Sequence, residues 1–363
     1  MKRRISFVTA TCAAIISVAG VESQTVAMIE DNQPCRQCRL EFKSLAVVGG
    51  STEVAGLVSG MSRVSVDSRG WLFMAPTYSP GVINRYTPTG GPAGTFGGEG
   101  SGPGEARGID WLVQGPGDSL YTFDPSNARI NVWTPPGSYA RSILLTHLAG
   151  GQIHSGVVLS DGRLVLQAML RSPEAAGQPL QLVDSNGKLL RSFGSDLAEM
   201  RPSDPDASWR SVAVDGQDRV WCARLDRYEL ELWTPKGEHV RTLKRSVEWF
   251  PSNTRHTNEV PKPLLRAVQV DEHGYLWVLI QVPVPPTREK EQSADESTPT
   301  SWHEDWDTMI EVIDPVSAEV VMSQRLPDFI GWFAGLRTIG IYREADDGTF
   351  LIDVQQINLK LNE

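Results

Sequence analysis

The sequence predicts an all-β fold, because one short pattern recurs along the chain. The pattern is an apolar strand, a tight Asp/Gly turn and a second strand rich in aromatic and β-branched residues. Its clear copies span 64–73, 212–221 and 268–277. Looser copies surround Gly117–Asp118, Ser160–Gly162 and Asp346–Gly348. A β unit that repeats every several tens of residues indicates an architecture built from similar small sheets.

A second pattern follows the first. It consists of an alternating strand, a turn that contains Pro or Gly, and another short strand. Pro early in the turn and Gly at a left-handed position are the usual chemistry of such hairpins. Its copies span 82–90, 129–137, 181–187, 231–237 and 310–315. The two patterns together supply four strands, which make one blade of a β-propeller.

The count of patterns predicts how the ring closes. Six copies of the first pattern and five of the second predict six blades, of which the last, from about Leu336 through 349–353 to 357–361, lacks a fourth strand. A strand at Leu40–Val48 precedes the first blade and has no partner there. We predict that this strand is the outermost strand of the last blade, because such closure hides sheet edges. The expected domain is one six-bladed β-propeller of four-stranded blades over residues 40–363.

The N-terminus predicts export. The basic run Lys2–Arg4 precedes an apolar stretch, Ile5–Val18, and then small residues, which is the pattern of a secretory signal peptide. The stretch is shorter than the roughly twenty apolar residues of a membrane span. We predict residues 1–27 as the signal peptide, with cleavage near residues 19–27 and an uncleaved anchor as the alternative. The mature protein would be periplasmic or extracellular, without a membrane span.

Residues 28–39 form a short segment that contains Cys35 and Cys38. In an oxidising compartment we expect a disulfide between these two cysteines, with a plain pair of thiols as the alternative. Arg39 stands where a covalent haem site needs His, and no second pair of ligands has the spacing of a metal site. Cys222 lies beside Trp221 in a predicted strand, and we expect it to be a buried apolar residue.

Charge and motifs exclude several functions. The net charge of −10 and the lack of a Lys/Arg run after the N-terminal Lys2–Arg4 argue against a nucleic-acid partner. A nucleophile elbow, a zinc helix and a phosphate loop are absent from the sequence. The Gly98–Gly104 run lacks dinucleotide spacing, so it predicts a long glycine turn. The repeated Asp67, Asp215 and Asp271 are interpreted as turn residues that bond their own backbone, with calcium ligands as the alternative.

Two stretches, Gly97–Glu105 and Asp124–Trp133, resemble the repeat of exported bacterial six-bladed propellers of the NHL type. The resemblance is close in the first two blades and holds only in outline over the rest. Ala106 stands where these repeats usually carry an aromatic residue, and the Pro expected before the next strand is missing. The resemblance implies the fold far more than an activity, since propellers host many unrelated functions.

The long segments fall on one face of the predicted disc. Turns after the first and third strands of a blade open on one face and are short, whereas turns after the second and fourth strands open on the other. The long segments are 97–108, 171–179, 195–208, 246–263 and 282–307. Loops of this length are usually functional or disordered, and the polar, Pro-rich part at 285–300 predicts disorder. We expect the binding site on this long-loop face.

The candidate ligand-binding residues are loop side chains that could stack on a ligand or carry charge. They are Arg107, Trp209, Arg210, Trp249, His256, Arg266, Trp302 and Trp306. Aromatic loops could stack on a sugar, a peptide or an apolar small molecule, and the alternative for each Trp is that it packs its loop onto the disc. The residues expected near the channel are Arg107, Asp110, His154, Arg210 and Arg266, and this Arg-weighted set suits an anionic ligand.

These observations predict an exported scaffold that binds a ligand or a protein through the long-loop face, without catalytic residues. Its expected partner is a small molecule, a glycan, a peptide or an envelope protein. The alternative is a metal-dependent hydrolase or lyase of the lactonase kind, with its site in the central channel. We expect no cofactor and keep a channel calcium or zinc ion open as part of that alternative. A structural module of an envelope assembly is a third class, which predicts an exposed apolar patch.

Overall fold

The computed structural model describes eleven parts of the chain. They are 25–30, 38–49, 58, 63–76, 80–148, 153–170, 177–194, 209–251, 262–284, 305–344 and 348–360. The elements in these parts are almost all β-strands, and they form six sheets whose innermost strands neighbour one another around a channel. The predicted six-bladed β-propeller is therefore confirmed.

The chain starts with two strands that join later blades, β1 (Thr25–Met28) and β2 (Arg39–Gly49). The first blade contains β3 (Val64–Val66), β4 (Leu72–Met74), β5 (Val82–Tyr86) and β6 (Pro92–Gly97). The second contains β7 (Trp111–Gln114), β8 (Leu120–Asp124), β9 (Arg129–Thr134) and β10 (Ser138–Leu144). The third contains β11 (Ser155–Val158), β12 (Leu164–Gln167), β13 (Leu180–Val183) and β14 (Leu189–Phe193).

The fourth blade contains β15 (Arg210–Val214), β16 (Val220–Arg224), β17 (Glu229–Trp233) and β18 (His239–Lys244). The fifth contains β19 (Leu264–Val270), β20 (Leu276–Pro283), β21 (Trp306–Asp314) and β22 (Glu319–Leu326). The sixth contains β23 (Phe333–Gly335), β24 (Thr338–Glu344) and β25 (Phe350–Lys360). These strands follow chain order from the channel outward in each blade, and β2 and β1 are added at the outer edges of the sixth and fourth blades. Short 3-10 turns lie at Pro116–Asp118 and Thr146–Leu148.

The ring closes as predicted, through β2. This strand is the outermost strand of the sixth blade and pairs antiparallel with β25, from Arg39 opposite Lys360 to Gly49 opposite Leu351. The strand predictions inside this blade were less accurate. Its first strand begins at Phe333 rather than near Leu336, and the two predicted segments at its end are one continuous strand, β25.

The sequence did not predict β1, which adds a fifth strand to the fourth blade. It pairs parallel with β18, from Thr25 opposite Arg241 to Met28 opposite Lys244. The strand is short and its apolar side chains are largely exposed, so its pattern carries little signal. Residues 25–27 fall inside the predicted signal peptide. Cleavage near residue 19 or 23 keeps β1, whereas cleavage near residue 27 removes most of it.

The core lies between neighbouring blades, where the apolar faces of two sheets meet. Phe123 and Leu166 pack between the second and third blades, and Leu230 and Val278 between the fourth and fifth. All four side chains are fully buried. Burial on both faces explains why the middle strands of these blades are nearly continuous apolar runs.

The Asp residues of the first pattern hold turns, as predicted. Oδ1 of Asp67 accepts hydrogen bonds from the backbone N–H groups of Arg69 and Trp71, both at 2.9 Å. Asp215 and Asp271 accept the same pair of bonds from the residues two and four positions later. The carboxylate replaces water as partner for two turn N–H groups, which fixes the hairpin.

A related pair of Asp residues joins blades on the short-turn face. Asp118 and Asp218 both have φ of 59°, a left-handed conformation that Asp tolerates. Asp118 accepts hydrogen bonds from the backbone N–H and the hydroxyl of Ser68 in the first blade, at 2.9 and 2.8 Å. Asp218 makes the same two contacts to Ser160 of the third blade. Each contact fastens one turn to the turn of the next blade.

The closing strand should contribute strongly to stability through the side chains that it buries. Val48 is fully buried between the sixth and first blades, whereas its neighbour Val47 is 49% exposed. We expect Val48→Ala to lower the free energy of unfolding by about 2 kcal/mol, and the matched control Val47→Ala by less than about 0.5 kcal/mol. Urea denaturation measures both. Equal losses would contradict the packing of β2 against the first blade.

The contact between Asp118 and Ser68 should be sensitive to pH. Hydrogen bonds from Ser68 hold the pKa of Asp118 below its ordinary value. The stabilisation is therefore present at neutral pH and is lost as the pH falls through this lowered pKa. Gly keeps the left-handed turn, so Asp118→Gly should cost about 1–2 kcal/mol at pH 7 and much less under acid conditions. Denaturation of both proteins across pH tests this, and a pH-independent difference would contradict it.

Candidate functional site

The innermost strands begin on the face where the long segments were predicted, although most of those segments, including 195–208 and 285–300, lie outside the described residues. Four of the candidate residues lie at equivalent positions at the start of the innermost strands on this face. In each of these blades, the candidate lies five residues before the first residue of the turn that follows the innermost strand. The four candidates are Asp110, His154, Arg210 and Arg266. In all four blades that turn residue donates its N–H to the carbonyl four positions later, which fixes the correspondence. The loops after β8 and β16 are exceptions, since they are short.

Arg63 crosses the mouth of the channel. It directly precedes β3 of the first blade, and its Nη1 donates a hydrogen bond of 3.5 Å to the carbonyl of His154 in the third blade. It also interacts electrostatically with Asp110 of the second blade and Tyr342 of the sixth. The Arg63 side chain bonds to the third blade and lies within electrostatic range of the second and sixth, which requires a position where the blades converge, so the guanidinium lies over the channel. We call this region, formed by Arg63, Asp110, His154, Trp209, Trp332 and Tyr342, the channel mouth.

Serines occupy the corresponding position in two other blades. Ser155 and Ser211 lie four residues before their turns, as Arg63 does, and each hydroxyl accepts the N–H of Val212 or Val268 in the next innermost strand. Their short side chains therefore bond to the neighbouring blade. The longer Arg63 side chain instead extends across the mouth.

The electrostatics of the mouth follow from its partial enclosure. Burial lowers the pKa of Arg63, although Tyr342 and Asp110 oppose this shift. Burial also raises the pKa of Asp110, and the charge of Asp124 adds to the effect while Arg63 counters it. The pKa of His154 falls because of burial and the charge of Arg63, so its imidazole is neutral at pH 7. Arg63 still keeps its proton at neutral pH, as arginine does in proteins.

Two aromatic pairs flank this charge. The rings of His154 and Trp209 stack with centroids 3.9 Å apart. Trp332 and Tyr342 meet edge to face with centroids 5.4 Å apart, and Trp332 Nε1 donates a hydrogen bond of 3.2 Å to the carbonyl of Val64. Burial raises the pKa of Tyr342, so its phenol stays protonated and can donate a hydrogen bond.

The glycine turn before β7 is held firmly, which positions the loop that leads to Asp110. Arg129 donates hydrogen bonds to the carbonyls of Ser101, Gly102 and Glu105. Asn127 donates a hydrogen bond to the carbonyl of Gly100, and Asn131 donates a second one to the carbonyl of Glu105. The two stretches that resemble the NHL repeat are therefore in contact, because one supplies the carbonyls and the other the donors. Arg107, which follows the glycine turn, is exposed and donates its backbone N–H to Asp124.

Two of the predicted arginines turn away from the channel. Arg210 is buried, donates a hydrogen bond to the carbonyl of Trp209, and faces Cys222 and Glu231 of its own blade. Arg266 is half-buried and donates a hydrogen bond from Nε to Oε1 of Gln281 at 2.5 Å. Both guanidinium groups are thus engaged within their blades. The cation over the channel is Arg63, which the sequence patterns did not select.

The remaining aromatic candidates are placed differently. Trp249 packs beside Arg245 and Phe250, as in the loop-packing alternative. Trp306 begins β21 opposite Pro283 at the long-loop end of the fifth blade. His256 and Trp302 lie outside the described residues, as does segment 285–300.

The structure describes two cysteines, Cys38 and Cys222, for which the sequence made predictions. Cys222 is free and fully buried, as predicted. Burial raises the pKa of its thiol, which keeps it protonated and unreactive. Cys38 is disulfide-bonded. Cys35 lies outside the described residues, so its pairing with Cys38 stays a prediction.

Three residues of the channel mouth were missed by the sequence patterns. Arg63 could have been found by counting back from Asp67 to the start of the innermost strand. Trp332 and Tyr342 belong to the blade whose first turn, at Leu336–Arg337, lacks the Asp/Gly signature. Without that signature the start of its innermost strand cannot be placed from sequence.

The described residues contain no group of three His, Cys, Asp or Glu side chains that could hold a metal ion. None of the helices in the same part of the chain is long and apolar enough to cross a membrane.

Comparison with known proteins supports the fold. A Bacteroides fragilis protein described as exported superimposes with a TM-score of 0.58 at 11% sequence identity. The superposition covers 93% of this chain and 100% of the other. A member of the DUF4221 family from Bacteroides vulgatus gives a TM-score of 0.60 at 10% identity, over 89% and 99%. No family model matches the sequence, so the NHL-type repeat is not confirmed, and no curated protein matches either.

The charge of Arg63 should be detectable in the titration of His154. We expect Arg63→Gln to raise the pKa of His154, because a nearby positive charge disfavours the imidazolium. The pKa should stay below its ordinary value of 6.5, since burial is the larger cause. NMR titration of the imidazole measures the shift. Arg191→Gln removes a distant charge and is the control, and equal His154 pKa values in the two variants would contradict the placement of Arg63.

Proposed function

We propose that the protein is an exported scaffold that binds a small ligand at the channel mouth, where Arg63 holds an anionic group of the ligand. The observation that carries this proposal is the position of Arg63 over the channel, within reach of four blades. The Arg63 side chain keeps access to solvent, although the surrounding blades bury it enough to lower its pKa. Partial enclosure strengthens its attraction for an anion, because fewer water molecules screen it.

The donor capacity of Arg63 supports an anionic group. A guanidinium offers five N–H donors, and among the described residues Arg63 uses one, in a hydrogen bond at the long limit of 3.5 Å. The unused donors form the planar fork that suits a carboxylate. The aromatic pairs beside it supply the apolar surface that usually lines a small-molecule site.

Binding should therefore depend on Arg63. We expect 3-phenylpropionate, a carboxylate with a flat ring, to bind the wild-type protein and to bind Arg63→Gln at least about tenfold more weakly, as loss of a charge-assisted hydrogen bond predicts. Isothermal titration calorimetry measures both affinities. Arg191→Gln, which removes the same charge from β14, should bind like the wild type. Equal affinities of the three proteins would contradict an anion site at the mouth.

Melting temperatures of the wild-type protein with and without metal distinguish this proposal from the metal-dependent alternative. A metal that binds the native state raises the melting temperature, because it stabilises that state by an amount that grows with the logarithm of the metal concentration relative to Kd. After treatment with a chelator, the proposed scaffold should melt at the same temperature with and without added calcium or zinc. A clear upward shift would favour the hydrolase or lyase instead.

A further inference from the structure

The channel mouth carries two opposite charges that are held apart. Arg63 comes from the first blade and Asp110 from the second, and both side chains are exposed. They interact electrostatically, yet within the described part of the chain no ion pair of 4 Å or less joins them. The Asp110 carboxylate also accepts no hydrogen bond from any residue in these described ranges. Each group therefore has capacity left for a ligand.

Separated opposite charges discriminate among ligands. A ligand with only a negative charge is attracted by Arg63 but repelled by Asp110. A ligand with only a positive charge is attracted by Asp110 but repelled by Arg63. A ligand with both charges can align them with the two side chains and gain from each. This complementarity is a general source of specificity, because the wrong ligand leaves one partly enclosed charge uncompensated.

We propose that the ligand is a compact zwitterion of the α-amino acid type, with its carboxylate on Arg63 and its ammonium group on Asp110. This inference rests on the proposed function, since it assigns the substrate class of the same site. The apolar side chain of the ligand lies against the aromatic pairs of the mouth.

The other titratable groups at the mouth fit this assignment. His154 is neutral at pH 7 and adds no charge of its own. The protonated phenol of Tyr342 is near Arg63 and adds no negative charge beside the guanidinium. Asp124 lies near Asp110, but it is buried and its charge is offset by Arg129, whose Nε lies 3.8 Å from its Oδ2, so Asp110 is the negative group that faces a ligand. The mouth thus has a positive side at Arg63 and a negative side at Asp110.

Three probes that share a phenyl ring test the assignment. They are L-phenylalanine, 3-phenylpropionate, which lacks the ammonium group, and 2-phenylethylamine, which lacks the carboxylate. Calorimetric titration of the full mature protein should give phenylalanine an affinity at least about tenfold higher than either of the others, since each lost charge pair is worth that factor.

Asp110→Asn isolates the second contact while keeping the shape of the side chain. This variant should bind phenylalanine about tenfold more weakly and 3-phenylpropionate as well as, or better than, the wild type, because the repulsion is gone. Asp161→Asn makes the same charge change on the short-turn face and should alter neither affinity. Melting temperatures of both variants confirm that they are folded.

The outcomes separate the inference from the proposed function. If 3-phenylpropionate binds through Arg63 as tightly as phenylalanine, and Asp110→Asn affects both alike, the zwitterion assignment is overturned while the anion site stands. If neither carboxylate binds, or if Arg63→Gln binds both as well as the wild type, the proposed function is overturned together with the inference. Preference for phenylalanine that is lost in Asp110→Asn supports both.

Discussion

The pairing of β2 with β25 is the constraint on which the rest of the structure depends. It joins the two ends of the chain and completes the sixth blade, without which the ring would stay open. The first and sixth blades meet at this seam, and one wall of the channel mouth lies there. Trp332 bonds to the carbonyl of Val64 across 268 residues of sequence, and Tyr342 lies near Arg63 across the same seam. Ring closure therefore assembles the site as well as the fold.

The repeat explains why a few positions differ so much in role. Every blade needs turn residues on the short-turn face, and Asp67, Asp215 and Asp271 meet this need in the same way. The residues at the starts of the innermost strands have no such shared structural role. There the chain places serines that bond to the next blade, arginines that bond within their own blade, and Arg63 over the channel. Binding specificity can thus vary at these positions without disturbing the sheets.

The fold was predictable from sequence because turn chemistry and strand alternation repeat, and because counting strands left one unpaired strand for closure. The channel mouth was predictable only in part. Asp110, His154 and Trp209 follow from the register of their blades, but whether a long side chain faces the channel depends on partners in other strands, as Arg210 beside Glu231 demonstrates. The irregular turn of the sixth blade hid Trp332 and Tyr342. The strand β1 is only four residues long and exposes Val26 and Met28, which leaves little side-chain pattern to detect.

The most direct test of this account is a crystal structure of the protein soaked with 4-bromophenylalanine, in which the anomalous signal of bromine locates the ligand. The account predicts a bromine peak at the channel mouth on the long-loop face, beside the ring pairs of Trp209 and Trp332, with the ligand carboxylate on the guanidinium of Arg63. A peak on the short-turn face or at the rim of the disc, with Arg63 still bonded only to the carbonyl of His154, would contradict it.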